Sequence, residues 1–345
     1  MLSRVAHNIY WIARYIERAE DTARLINVNT NLLLDLPRSM TFGWLPLIFI
    51  VGAEEQFYEK DPERLADEST VVKFLIGDSD NPGSILCSLA AARENLRTTR
   101  DTVPQEAWEQ INSLYIFARD HLPTRRGRFE FLRRVIHGAQ QINGLLAGSM
   151  SRSAAYDFVR LGRFLERADM TTRILDVRSA DLLPRIPLPA VSEQARTPRK
   201  AESRQTQSQV QTLTQSQLQS MPSKPVEQNP FDSIQWMSVL KSLSAYQMYR
   251  QQVRLRVGGS DVVKFLLQDP SFPRAVSFCL QELEFCLRKL PKNAASLAAV
   301  DALKQRLNSA EIPELAHQGL HEFIDEFQID LGALHNLIAV TYFMA

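Results

Sequence analysis

Arg14-Tyr15-Ile16-Glu17-Arg18-Ala19-Glu20 and Arg163-Phe164-Leu165-Glu166-Arg167-Ala168-Asp169 are the two stretches on which the fold is read. The first lies inside a longer pattern, Val5, Ile9, Ile12, Ile16, Ala19, Ala23 and Ile26, whose steps of four and three place these side chains on one stripe of an α-helix. The pattern returns 149 positions later as Ala154, Phe158, Leu161, Leu165, Ala168, Thr172 and Leu175, with Thr172 its only polar member. Arg24 and Arg173 stand in the same register. A duplicated amphipathic helix is the simplest explanation, and it predicts an all-α protein built of two related helical halves packed as a bundle.

A second pair of segments carries the same message. Ser69-Thr70-Val71-Val72-Lys73-Phe74-Leu75 resembles Ser260-Asp261-Val262-Val263-Lys264-Phe265-Leu266, Pro82 falls in register with Pro273, and the offset is now 191. The second half therefore holds about 42 extra residues between its Glu-Arg helix and its Val-Val-Lys segment. They coincide with a Gln-, Ser- and Pro-rich stretch at 184–230, without glycine and with few large apolar residues, which reads as a disordered linker. The expected organisation is a first helical half over 1–150, the Glu-Arg helix of the second half over 151–183, the linker over 184–230, and the remainder of the second half over 231–345. Within these, Asn81 can cap and Pro82 can open a helix running through Arg93, and 126–150 and 311–345 read as helices closing each half.

Composition narrows the function classes. With 45% hydrophobic and 23% charged residues the chain can bury a core throughout, and 40 Lys plus Arg against 39 Asp plus Glu leaves no global field for nucleic acid or an anionic membrane surface. The apolar run at 44–51 is far below the roughly 20 residues that cross a bilayer, so no membrane span is expected. Cys87, Cys279 and Cys286 have no metal-type spacing, and the amino terminus lacks the build of a signal peptide; both predict a cytoplasmic protein. His317, His321 and Asp325 recur every four residues but lack the glutamate placement of a zinc helix, so no metal and no cofactor is expected. Walker, dinucleotide and serine-nucleophile motifs are missing from the sequence.

Chemistry, where it exists, falls to the charged flank of the Glu-Arg helices. On a helical wheel Arg14, Glu17, Asp21 and Arg24 share a side opposite the apolar stripe and are placed to pair with one another, as are Arg163, Glu166 and Arg173. Tyr10, Trp11 and Leu25 share that side in the first helix, which makes it an interface or pocket rather than a solvated face. Two readings follow for Glu17, Arg18, Glu166 and Arg167. They line a cleft where arginines grip an anion and a carboxylate orients or deprotonates it, or they form the ion pairs that fix how two bundles meet. Arg93 and Arg97, with Arg100, add a basic edge at helical spacing that could meet an anion. The arginines of 125–134 cluster without a nucleic-acid motif.

The motif pair 16–22 and 165–171, together with Asn81-Pro82-Gly83-Ser84-Ile85, Arg93-Glu94-Asn95 and Phe272-Pro273-Arg274-Ala275-Val276, resembles the bacterial alpha-E family, over nearly the whole chain apart from the linker. The resemblance implies an all-helical protein whose genes commonly neighbour or fuse to those of a circularly permuted ATP-grasp ligase and a transglutaminase-like protein. It thus implies a part in peptide or amide-bond metabolism with one of these as protein partner. It also adds Ser84, Asn95 and Arg274 to the candidate ligand-binding residues Arg14, Arg24, Arg93, Arg97, Arg163 and Arg173. The sequence departs from the family at Ala275, where a serine usually follows Pro-Arg, and in its longer linker. The expectation is a helical accessory subunit of such a ligase that binds or presents its substrate. The alternative is an enzyme acting on an anionic or peptide-like molecule through its Glu-Arg centres.

Overall fold

The computed structural model describes residues 2–35, 43–182, 232–253 and 257–344. The described residues form fifteen α-helices and one short 3-10 turn, with no strand among them. In the first part of the chain these are α1 (Ser3–Asp35), α2 (Leu45–Val51), α3 (Glu54–Tyr58), α4 (Glu68–Gly77), α5 (Ile85–Arg97), α6 (Gln105–Asp120) and α7 (Arg128–Ser149). In the second they are α8 (Ala154–Leu182), α9 (Asp232–Ser242), α10 (Tyr246–Gln252), α11 (Gly259–Gln268), α12 (Val276–Leu287), α13 (Ala294–Ser309), α14 (Ile312–His317) and α15 (Leu320–Tyr342). The linker expected over 184–230 lies outside the described residues.

The two long Glu-Arg helices organise everything else. Around α1 pack α5 and α7, with α6 bridging those two; around α8 pack α12 and α15, with α13 bridging them. α1 and α8 run parallel against each other, and the short helices cross over, α2 lying on α8 and α9 on α1. One continuous apolar core results, to which Ile16 and Leu165 both belong, at 1% and 2% exposure.

Positions separated by the 149-residue offset meet along this axis. A Cβ on Gly162 would lie 3.2 Å from Ala13 Cβ and 2.2 Å from the Tyr10 carbonyl oxygen, so the closest approach of the two helices requires glycine there. Further along, Arg178 donates Nη2 to Asn29 Oδ1 at 2.9 Å. The short helices end alike: Gly52 and Ser244 both take left-handed backbone (φ 64° and 53°), and the next residues, Ala53 and Ala245, donate back to the carbonyls of Ile48 and Leu240. Edge-to-face pairs then follow at Phe57 with Phe74 (5.1 Å) and Tyr249 with Phe265 (5.5 Å).

The first helix is buried on nearly all sides, its charged flank meeting α8 as an interface. Several local expectations are corrected. Ala154 is exposed at the start of α8 and takes no part in the stripe. Residues 311–345 do not form one helix: Gly319 at φ 90° breaks the run between α14 and α15. Nor does Pro82 open α5. Asn81 folds into a turn, its side chain accepting from Gly83 N–H and donating to the Phe74 carbonyl, and Ser84 becomes the cap.

Candidate functional site

The Glu-Arg motifs exchange partners across the α1–α8 contact. Arg18 donates Nε to Glu166 Oε1 at 2.7 Å, and Arg167 donates Nε to Glu17 Oε1 at 2.6 Å. The expected pairing of Arg14, Glu17, Asp21 and Arg24 among themselves does not occur. Arg14 donates instead to Glu166 Oε2 at 2.6 Å, and Arg24 to Glu20 Oε1, also at 2.6 Å. For Arg14 a helical wheel cannot show this, because its acceptor belongs to another helix, whereas Arg24 takes an acceptor four residues back on its own. Arg173 likewise turns to Asp169, four residues back, at 3.0 Å.

Both central carboxylates are buried, Glu17 at 0% and Glu166 at 2% exposure. Burial alone would raise their pKa, but the flanking guanidiniums outweigh it and hold each at about 2: Arg167 and Arg274 at Glu17, Arg18 and Arg14 at Glu166. Arg274, delivered by the loop before α12, reaches three acids at once. Its Nη1 donates to Asp21 Oδ1 at 2.6 Å, and its Nη2 lies 2.9 Å from Glu17 Oε1 and 3.1 Å from Glu20 Oε1. Thr171 fixes that loop by donating to the Arg274 carbonyl at 2.9 Å. Burial raises the Asp21 carboxyl to about 7, with Glu17 and Glu20 adding to the rise and Arg274 opposing it.

The flank beyond is aromatic. Tyr10 Oη lies 2.8 Å from His335 Nδ1 on α15, and the Arg14 guanidinium sits 4.9 Å above the Trp11 ring. Burial, and then Arg14, lowers His335 to about 4, so its imidazole is neutral at pH 7. Beside Glu166 an open cavity of about 240 Å³ is lined by Arg18, Asp169, Arg173 and the 81–83 turn.

The remaining candidates lie outside the ion-pair cluster. Arg93 donates to Asn112 Oδ1 at 2.6 Å and stacks on Tyr115; Arg97 pairs with Glu94 on the surface; the Asn95 carbonyl accepts from the hydroxyls of Thr98 and Thr99. Ser84 Oγ accepts the Cys87 N–H as the cap of α5. Arg163 stands apart from all of these, since it makes no hydrogen bond or ion pair among the described residues. Two contributors escaped the sequence reading. Glu20 had a signal in Arg24 four positions on, whereas nothing local points from His335 to Tyr10. His321 pairs with Asp176 at 2.6 Å, and no group of three metal-ligand side chains occurs among the described residues.

This architecture defines a class: an all-helical protein held together by reciprocal glutamate–arginine pairs between two long parallel helices. The chain belongs to the Alpha-E family, described as a predicted alpha-helical domain with a conserved ER motif, which it matches over residues 1–343. No curated protein and no solved structure matches it. Among the described residues no helix is long and apolar enough to cross a membrane.

Proposed function

We propose that this chain is a helical accessory subunit that docks onto an ATP-grasp-type peptide or amide ligase and binds or presents its substrate. One observation carries the reading: the motif residues are consumed in pairing with each other. A general base works best with a pKa near the operating pH, whereas Glu17 and Glu166 are held at about 2. Their arginines are already matched, so the motif's role is to set the α1–α8 contact on which any binding surface is displayed. The alternative, in which Glu17 or Glu166 acts as a general base, is disfavoured for the same reason. The ligase, or a transglutaminase-like protein as the other candidate partner, is supported by the family resemblance in the motifs at 16–22, 81–85, 165–171 and 272–276.

The test is affinity capture of the tagged full chain from native extract, with the ATP-grasp ligase expected among the proteins eluted in stoichiometric amount. A chain that elutes alone, with ligase activity unaltered when it is deleted, would refute the proposal.

A further inference from the structure

A buried guanidinium without a counterion marks a second place where chemistry is unfinished. Arg163 is 8% exposed, yet its guanidinium makes no hydrogen bond and no ion pair among the described residues. Its Nε and Nη2 are both buried and unpartnered. These two nitrogens form the edge with which arginine takes a carboxylate or phosphate through two parallel bonds, and since both are closed to solvent an anion reaches that edge only when the side chain turns outward. Leaving them empty costs far more than leaving an exposed arginine unpaired.

Its sequence counterpart is placed differently. Arg14 donates its Nε to Glu166. The matching carboxylate for Arg163 is Glu17, one oxygen of which is held by Arg167 and Arg274 while the other, Oε2, is buried and makes no hydrogen bond. Glu17 attracts Arg163 from beyond bonding distance, while burial and the like charge of Arg167 bring the Arg163 pKa down to about 10.

The same side chain lines an open cavity of about 470 Å³ between α8 and α12. Four of the lining residues, Arg152, Arg160, Arg163 and Lys289, are cationic, against the one carboxylate of Glu282. Glu282 is engaged by Arg160. Lys289 pairs with Asp157 at 3.4 Å and lies 4.1 Å over the Phe285 ring, while Arg152 donates to the Ala147 carbonyl at 2.6 Å and lies 4.1 Å over the Tyr156 ring. The ring beside Arg152 holds it at the cavity wall without neutralising it.

We propose that this cavity binds an oxyanion, a carboxylate or phosphate group of a small molecule, with Arg163 as its principal counterion and Arg152 and Lys289 at its rim. The site is independent of the ligase partnership.

Isothermal titration calorimetry of the full chain with inorganic phosphate and, separately, benzoate at matched ionic strength tests this and distinguishes the two anion chemistries. One saturable site is expected for at least one of them. Arg163→Met should weaken it at least tenfold, and Arg163→Lys, which keeps the charge and loses the two-bond edge, by an intermediate factor. Lys289→Met, on the rim, should weaken it severalfold and serves if the Arg163 variants fail to fold. Absence of saturable binding by either anion overturns the site, as does binding that neither Arg163→Met nor Lys289→Met weakens. In anion-poor buffer Arg163→Met should also melt at a higher temperature than the wild type, because it removes an uncompensated buried charge. An unchanged or lower melting temperature would show that the guanidinium is compensated by other means.

Discussion

The Glu166 and Glu17 centres use the same residue types at matched sequence positions and solve the same burial problem differently. At Glu166 two arginines of a single helix, Arg14 and Arg18, converge on one carboxylate. At Glu17 only one of the corresponding arginines, Arg167, makes the bond, and the second cation comes from the loop before α12 as Arg274. The difference traces to one position. Gly83 occupies the place in the first loop that Arg274 occupies in the second, and where the glycine stands a cavity of about 240 Å³ opens beside Glu166. One centre is thus completed by an arginine from a loop, while the corresponding helix arginine, Arg163, makes no bond there.

The sharpest way to break this comparison is to remove the loop arginine. Arg274→Ala leaves Glu17, Glu20 and Asp21 crowded in a buried site with Arg167, Arg24 and the more distant Arg163 to offset them. Breaking a buried charge cluster of this kind costs about 3–5 kcal/mol. Urea unfolding at pH 7 should show that loss, and a change below about 1 kcal/mol would mean that Arg274 does not hold the second centre together.

The centres should also respond unequally to loss of their carboxylates. Glu166→Gln strands two arginines that share a single acid, and the expected cost at pH 7 is about 3 kcal/mol or more. Glu17→Gln strands Arg167 alone, leaves Arg274 with Glu20 and Asp21 and relieves repulsion at Asp21, so about 1–2 kcal/mol is expected. The pH dependence has a defined sign. Glu166 is held at about 2 against an ordinary 4.5, so its stabilisation is complete above pH 4.5 and is lost as the pH falls towards 2. Thermal melts should therefore show the gap between wild type and Glu166→Gln narrowing steadily over that interval. A constant gap would show that the carboxylate acts through packing and not through charge.

The legible and illegible parts of this protein divide along the same line as local and distant interactions. The stripe of Ile9, Ile12, Ile16, Ala19, Ala23 and Ile26 is buried as its spacing requires, because a helix period depends only on neighbours in the chain. The charges opposite it were equally plain. Their partners were not, since Arg18 and Arg167 reach across about 150 residues and the wheel ranks only contacts within one helix. Arg274 shows the same limit more strongly: the motif marks it as a candidate, but its grip on Glu17, Glu20 and Asp21 depends on where the loop before α12 lands. The break at Gly319 was readable in principle, since a glycine inside a periodic run can stop a helix, but the apolar periodicity on either side masks it.

The smallest expected effect concerns the two loops themselves. Ser84 caps α5, its Oγ accepting the Cys87 N–H at 3.2 Å, whereas Ala275, at the matched position before α12, has no side chain that can cap. The backbone is nevertheless poised alike at both, with φ −59° and ψ 155° at Ser84 and φ −70° and ψ 143° at Ala275. Ser84→Ala should therefore cost about 1 kcal/mol, the usual value of an N-cap. Ala275→Ser should recover a fraction of that, because the new hydroxyl meets the unpaired first-turn N–H groups of α12 in a cap geometry already formed. Differential scanning calorimetry of the two single variants and the double variant resolves changes of this size. Additive opposite shifts would show two independent caps at equivalent sites. A destabilised Ala275→Ser would show that the loop carrying Arg274 packs too tightly at its fully buried Ala275 for a hydroxyl.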